Sequence, residues 1–236
     1  SIQHYHTKTG YKLAIISQRQ AYTRGLERAS VVVIKKPIRI HKLVEDGHGT
    51  WMTDFPEELN QIEEMLYTVK PTGRVLVGGL GLGILAKRLT QLPGIKEVVV
   101  VERSKDVIKL CKNSSYKTVC SDITKYLTRH EKPFDFYLLD TWAGTNEITW
   151  WDTVLPLRRL IHNRCGSKPV VHCWAEDIMW GQVKMKLCGT FPPHWYYKDP
   201  FRKMSEDEAE YFRNGAGLPK WELKYGAAFD KLKEIK

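Results

Sequence analysis

A chain of 236 residues, 42% apolar and with eight tryptophans, is large enough to bury a sizeable core without disulfide or metal staples. No window approaches the roughly 18 continuous apolar residues that a membrane-crossing helix needs, and the start lacks a leader-like apolar region, so the expectation is a soluble, cytoplasmic protein with no membrane partner. The formal net charge of +10 is unevenly placed: residues 1–44 hold nine Lys or Arg against Glu27 alone, whereas residues 45–69 hold seven acids and no Lys or Arg.

That basic segment could receive an anionic partner. Zinc-finger spacing, an RNP-like aromatic motif and a long basic helix are all missing, so a solvated surface is favoured over nucleic acid. Five cysteines, at 111, 120, 165, 173 and 188, form no Cys-x-x-Cys pair and no Cys/His cluster at ligand spacing. They predict reduced, mostly buried thiols and no metal.

In chain order, YKLAII (11–16), SVVVIKK (30–36) and IRIHKLV (38–44) are β-prone runs broken by polar turns and Pro37. They predict a small antiparallel β subdomain over residues 1–50, ahead of an α/β, Rossmann-like domain over 51–236. PEELNQIEEMLYTV (56–69) predicts a helix, with Asp54 as its cap, acids in its first turn and Leu59, Ile62 and Leu66 at helical spacing.

RVLVGGLGLG (74–83) then runs an apolar strand into alternating glycines, and GILAKRLTQL follows as a helix. Gly79, Gly81 and Gly83 let the backbone turn sharply, so that a ligand can lie against the main chain. The dinucleotide fingerprint G-x-G-x-x-G would put glycine at 84, where Ile84 stands; the departure favours a nucleoside cofactor other than NAD.

KEVVVVE (96–102) reads as a strand buried on both faces, closing on Glu102 about 20 residues after the glycine turn, where an acid can accept from two ribose hydroxyls. Ser104 caps the helix SKDVIKLCKN, and Lys117–Cys120 forms a third strand. Asp122 then has two readings, the cap of the helix DITKYLTRH or an acceptor for the amine of an adenine. FDFYLLD (134–140) is a fourth strand with Asp140 at its tip, so three successive strands end in acid.

With these motifs on view, residues 72–175 resemble the core of class I S-adenosylmethionine-dependent methyltransferases, nearest to their spermidine-synthase-like branch. The resemblance implies a doubly wound, mostly parallel sheet with S-adenosylmethionine as cofactor. It implies that Gly79, Leu80, Gly81 and Gly83 pack against the methionine part, that Glu102 with Arg103 holds the ribose, and that Asp122 with Ile123 holds adenine. Trp51 and Met52 stand where related proteins roof the cofactor, although they also read as core residues between two sheets.

The motifs depart from spermidine synthases, which resemble GGGDG in the glycine turn and DSSDP after strand four; here the segments are GGLGLG and DTWAG. Both extra acids are missing, which argues against aminopropyl transfer from decarboxylated cofactor. DTWA also lacks the Asn/Asp-Pro-Pro-aromatic tetrad of amino-group DNA methyltransferases, and no Pro-Cys nucleophile is present.

The implied activity is methyl transfer to an unidentified acceptor, with aminopropyl transfer and a non-catalytic cofactor-binding module as alternatives. Asp140 is placed as general base, as cap or as ligand to the cofactor's amino group, and Trp142 as an aromatic wall of the acceptor site.

Further on, TNEITWWDTVLPLRRLI reads as a helix interrupted near Pro156, and SKPVVHCW as a fifth strand in which His172 is a satisfied interior residue. GTFPPHWYYKDPF (189–201) predicts an irregular substrate-side loop, followed by packed helices whose tryptophans would permit a homodimer.

Overall fold

The computed structural model describes residues 1–7, 12–14, 31–33, 36–130, 132–166, 168–176, 178–180 and 182. The expected loop at 189–201, the C-terminal helices, Cys188 and half of the basic N-terminal segment lie outside the described residues.

Three strands, β1 (Ile2–His6), β4 (Arg39–Glu45) and β5 (Gly49–Thr53), form an antiparallel sheet in the order β1-β4-β5, and β2 (Lys12–Ala14) pairs with β3 (Val31–Val33) as a separate ribbon. β5 crosses the division between residues 50 and 51 and carries Trp51 and Met52 on a strand. β1 and β5 lack the apolar β-branched runs that identify strands in the sequence, which is why neither was expected there.

Helix α1 (Pro56–Val69) buries Ile62, Met65 and Leu66. Asp54 does not cap it, contrary to expectation. Its carboxylate accepts instead from His41 N and from His41 Nδ1, both at 2.6 Å, while Phe55 occupies the cap position without a side-chain bond. Glu58 supplies the clamp at this end: its carboxylate accepts from Thr53 N at 2.9 Å and Thr53 Oγ1 at 2.6 Å.

The main sheet is parallel and five-stranded: β6 (Gly73–Gly78), β7 (Ile95–Glu102), β8 (Lys117–Cys120), β9 (Phe136–Leu139) and β10 (Val170–Cys173), in the order β10-β9-β6-β7-β8. The chain winds outward from β6 in one direction through β7 and β8, then returns to add β9 and β10 on the other side. This is the doubly wound, Rossmann-like arrangement expected.

Period-two alternation divides its side chains between two layers. Val75, Val77, Val98 and Val100 pack with α1 and with α2 (Ile84–Leu89). Leu76, Val99 and Val101 pack on the other face with α4 (Ile123–Arg129) and with the helical stretch that follows β9. Each of these aliphatic side chains is at most 5% exposed, so each contributes roughly 1.5–3 kcal/mol of burial.

Ser104 caps α3 (Lys105–Cys111), with Oγ accepting from Val107 N at 3.3 Å. The stretch after β9 comprises α5 (Glu147–Thr149), a π-helical turn (Trp150–Val154) and α6 (Leu155–Cys165). The expected interruption near Pro156 is therefore a widened turn. It buries Trp150 and Val154 completely, and Pro156 begins α6, where its missing N–H costs little.

Among the described residues Cys111, Cys120, Cys165 and Cys173 are free thiols, but only Cys173 is buried. Cys120 is exposed because it ends β8, the edge strand of the sheet, so the expectation of mostly buried thiols is corrected. No described helix is long and apolar enough to cross a membrane.

Candidate functional site

In an open parallel sheet the ligand crevice lies outside the carboxyl ends of the strands, where the winding reverses. Here that point lies between β6 and β9. A cavity of about 1050 Å³ opens there, lined among others by Gly78–Gly81 after β6, Glu102–Ser104 after β7, Ser121–Thr124 after β8 and Asp140–Ala143 after β9. The ladder continues one residue past these tips, with Gly79 N donating to Val101 O and Asp140 N to Gly78 O, each at 2.9 Å. The four tips are thus held in register with one another.

The glycine turn uses what only glycine allows. Gly79, Gly81 and Gly83 have φ of 90°, 52° and 74°. A Cβ on Gly79 would lie 2.2 Å from the carbonyl oxygen of Asp140, and one on Gly81 would lie 2.6 Å from Met52 Sδ. The turn is therefore pressed against the β9 tip on one side and against the N-terminal sheet on the other.

Met52 Sδ also accepts from Leu82 N at 3.3 Å, which places the thioether over the turn. Trp51 is 39% exposed and is not a core residue. Its Nε1 donates to Glu45 Oε2 at 2.6 Å, and the side chain lines the cavity beside Met52.

The strand-end acids converge as their spacing predicts, each with a local task. Glu102 Oε2 accepts from Leu80 N at 2.9 Å and Oε1 from Ser104 N at 2.7 Å, so the carboxylate joins the glycine turn to the start of α3. Each oxygen keeps a further lone pair for a ligand donor.

Asp122 caps α4, with Oδ1 accepting from Lys125 N at 3.0 Å, and lines the cavity as well; the two readings offered by the sequence are compatible. Ile123, behind it, is buried and adds an apolar wall, while Arg103 stands exposed at the rim.

Asp140 is exposed to the cavity, with protein crowded around it. The loss of bulk hydration, with the negative charge of Glu58, pushes its carboxyl up to about 6. Trp142 is half-buried on the cavity wall, and its Nε1 is a buried donor with no partner among the described residues.

Glu58, Asp152, Thr153, His172 and Trp174 also line the cavity and were not identified as site residues from the sequence. Glu58 carried a signal only as a first-turn acid of α1. Asp152 and Thr153 arrive through the π turn, whose extra residue leaves no mark in an i, i+3, i+4 pattern. Eight Asp or Glu line the cavity, against Arg103 as the one Lys or Arg among the described residues. The site is thus strongly acidic in a chain of formal charge +10.

No protein-family model matches the chain, and no curated protein matches it. Solved structures similar to it include an S-adenosylmethionine-dependent methyltransferase from Clostridium acetobutylicum ATCC 824, at 19% identity and a TM-score of 0.36, over 48% of this chain and 46% of that one. A SAM-dependent methyltransferase from Archaeoglobus fulgidus is similar at 25% identity and a TM-score of 0.34, over 48% of each chain. Spermidine synthase from Thermotoga maritima is similar at 13% identity and a TM-score of 0.43, over 80% of this chain and 70% of that one. The chain spans about half the length of the first two.

Proposed function

We propose that the chain is an S-adenosylmethionine-dependent methyltransferase. The observation that carries this reading is the meeting, at the switch point, of a turn with glycine at 79, 81 and 83 and three strand-end acids around one cavity. The residues fit the cofactor. The backbone at Gly79 and at Gly81 carries no side chain and admits close approach, Glu102 retains acceptor capacity for two ribose hydroxyls, and Asp122 Oδ2 is left for the adenine amine while Oδ1 caps α4.

When bound, the cofactor supplies a methyl group made electrophilic by its sulfonium. The protein's own work is alignment and proton removal. Met52 covers the glycine turn with a soft, polarizable thioether, and Trp51 lines the same cavity beside it. Trp142 forms one wall beside Asp140, and Asp140 receives the proton that the acceptor's N–H or O–H gives up.

The acidic lining favours a cationic acceptor, and the same lining supports aminopropyl transfer to an amine as the second reading. That reading lacks the acid inside the glycine turn, where Leu80 and Leu82 stand.

The test is to incubate the chain with S-adenosylmethionine or its decarboxylated form and a panel of amine, hydroxyl and carboxylate acceptors. S-adenosylhomocysteine appearing only with an acceptor supports methyl transfer. Turnover of the decarboxylated form alone would replace it with aminopropyl transfer. Cofactor binding without turnover would point to a non-catalytic module.

A further inference from the structure

A second cavity, of about 460 Å³, opens at the end of the main sheet opposite the crevice, lined among others by Arg74, Glu97, Lys117, Tyr126, His130 and Lys132. Arg74 lies near the start of β6, Glu97 is its partner on β7, and Lys117 begins β8 opposite Val99. Arg74 shares its parity with Leu76, and Glu97 with Val99 and Val101, so these side chains stand on the face that carries α4.

The frame of this cavity is fixed by bonds of its own. Arg74 Nε donates to Glu97 Oε2 at 2.7 Å and Nη1 to Pro133 O at 2.8 Å, and the guanidinium lies 4.7 Å from the centre of the Phe134 ring. The His130 ring stacks on Tyr126 and on Phe134, with centroids 4.9 Å away in each case. Arg164 donates to the carbonyls of Thr128 and His130 at 2.6 and 2.7 Å, so the negative end of α4 already has its cation.

Lys117 and Lys132 are left over. Both are exposed, and neither forms an ion pair among the described residues. His130 Nε2 is buried with no hydrogen-bond partner. Arg74, Lys117 and Lys132 against Glu97 give the cavity two positive charges in excess, whereas the crevice at the other end of the sheet is acidic.

We propose that this cavity binds a phosphate group, as free phosphate or as a phosphomonoester, between Lys117, Lys132 and the Arg74 guanidinium. A phosphate group carries about 1.5 to 2 negative charges at pH 7 and so matches the excess, while a carboxylate matches half of it. Its oxygens accept charge-assisted bonds from ammonium and guanidinium donors alike.

His130 makes the binding visible. Burial first, then the charges of Arg74 and Lys117, lower its imidazole below the ordinary value, against the Lys132 backbone and Glu97, which raise it. Tyr126 stays neutral because burial raises its phenol, and Arg164 reaches only the His130 carbonyl. An entering anion opposes the lysine and arginine charges, so His130 takes up its proton at higher pH than in the free protein, and by linkage the protonated protein binds phosphate more tightly.

The experiment follows the His130 Hε1 signal of the full chain by proton NMR against pH, assigned by its loss in His130→Gln, with inorganic phosphate, glycerol 3-phosphate or glycerol added. Phosphate should move the signal saturably and raise its midpoint, and glycerol should do neither. Tighter saturation by glycerol 3-phosphate identifies a phosphomonoester as the occupant; equal or weaker saturation identifies free phosphate. Calorimetry with the same ligands gives the affinities independently of the assignment.

Lys117→Gln with Lys132→Gln changes two exposed side chains outside the aromatic stack, and should weaken phosphate binding by roughly tenfold or more. No saturable shift, a shift that sodium chloride reproduces at equal ionic strength, or affinity unchanged in the double variant would overturn the proposal. S-adenosylmethionine binding concerns the other end of the sheet, so failure at one site leaves the other reading standing.

Discussion

Replacing Gly79 by alanine tests the geometry that brings the glycine turn against the β9 tip. Gly79 has φ of +90°, a conformation that costs an L-residue roughly 1–2 kcal/mol. The added Cβ would lie 2.2 Å from the Asp140 carbonyl oxygen, where real contacts essentially never fall under 3.0 Å. The obstacle is backbone, held by the Asp140 N to Gly78 O bond at 2.9 Å, so no flexible side chain can move aside.

Forcing such a contact apart costs about 1–3 kcal/mol more, for roughly 2–5 kcal/mol in total. Gly47→Ala provides the control: φ is +84° but nothing lies within 4 Å of the added Cβ, so only the conformational cost of roughly 1–2 kcal/mol applies. Urea unfolding followed by tryptophan fluorescence compares the two variants. Equal midpoints would refute the close approach of the turn to Asp140.

Removing the Glu102 carboxylate in Glu102→Ala leaves Leu80 N and Ser104 N without their acceptor, and should weaken S-adenosylmethionine binding by roughly 10- to 150-fold in calorimetry, as expected for charge-assisted bonds of about 1.5–3 kcal/mol. The Asp140 carboxyl, raised from 3.8 to about 6, makes the native state hold its proton more tightly than the unfolded chain, so native stability is relatively lost as pH rises through that window. Asp140→Asn should therefore match wild type below pH 4 and exceed it at pH 8 by about 1 kcal/mol, a figure reduced for the cavity water that screens the group; wild-type stability at pH 8 in thermal melts would contradict this. Arg158→Met should cost roughly 3–5 kcal/mol in urea unfolding, because it removes the guanidinium that donates to the buried Glu176 carboxylate through Nε and Nη2. Removing both charges together, in Arg158→Met with Glu176→Leu, should recover most of that loss.

The sheet was legible because its strands are short apolar runs that end in glycine or acid. Val98–Val101 announces burial on both faces, and the alternating glycines at 79, 81 and 83 announce positive φ. The convergence of Glu102, Asp122 and Asp140 followed from a rule about where parallel strands point.

Partnerships across elements were not legible. Asp54 has the position and chemistry of a helix cap, yet His41, thirteen residues earlier, takes its carboxylate through a strand pairing with no local signature. Glu58 looks like an ordinary first-turn acid, yet its carboxylate holds Thr53 and lines the cavity. The π turn at Trp150–Val154 adds a residue to a helical turn, and the stepping rule that locates helices has no term for it.

Calorimetric titration of the purified chain with S-adenosylmethionine, run alongside Glu102→Ala and with NAD as a second ligand, tests the cofactor site most directly. Single-site binding of S-adenosylmethionine in wild type, marked weakening in Glu102→Ala, and no comparable heat with NAD are expected. No binding of S-adenosylmethionine to the wild-type chain, or affinity unchanged in Glu102→Ala, would contradict the proposed cofactor site.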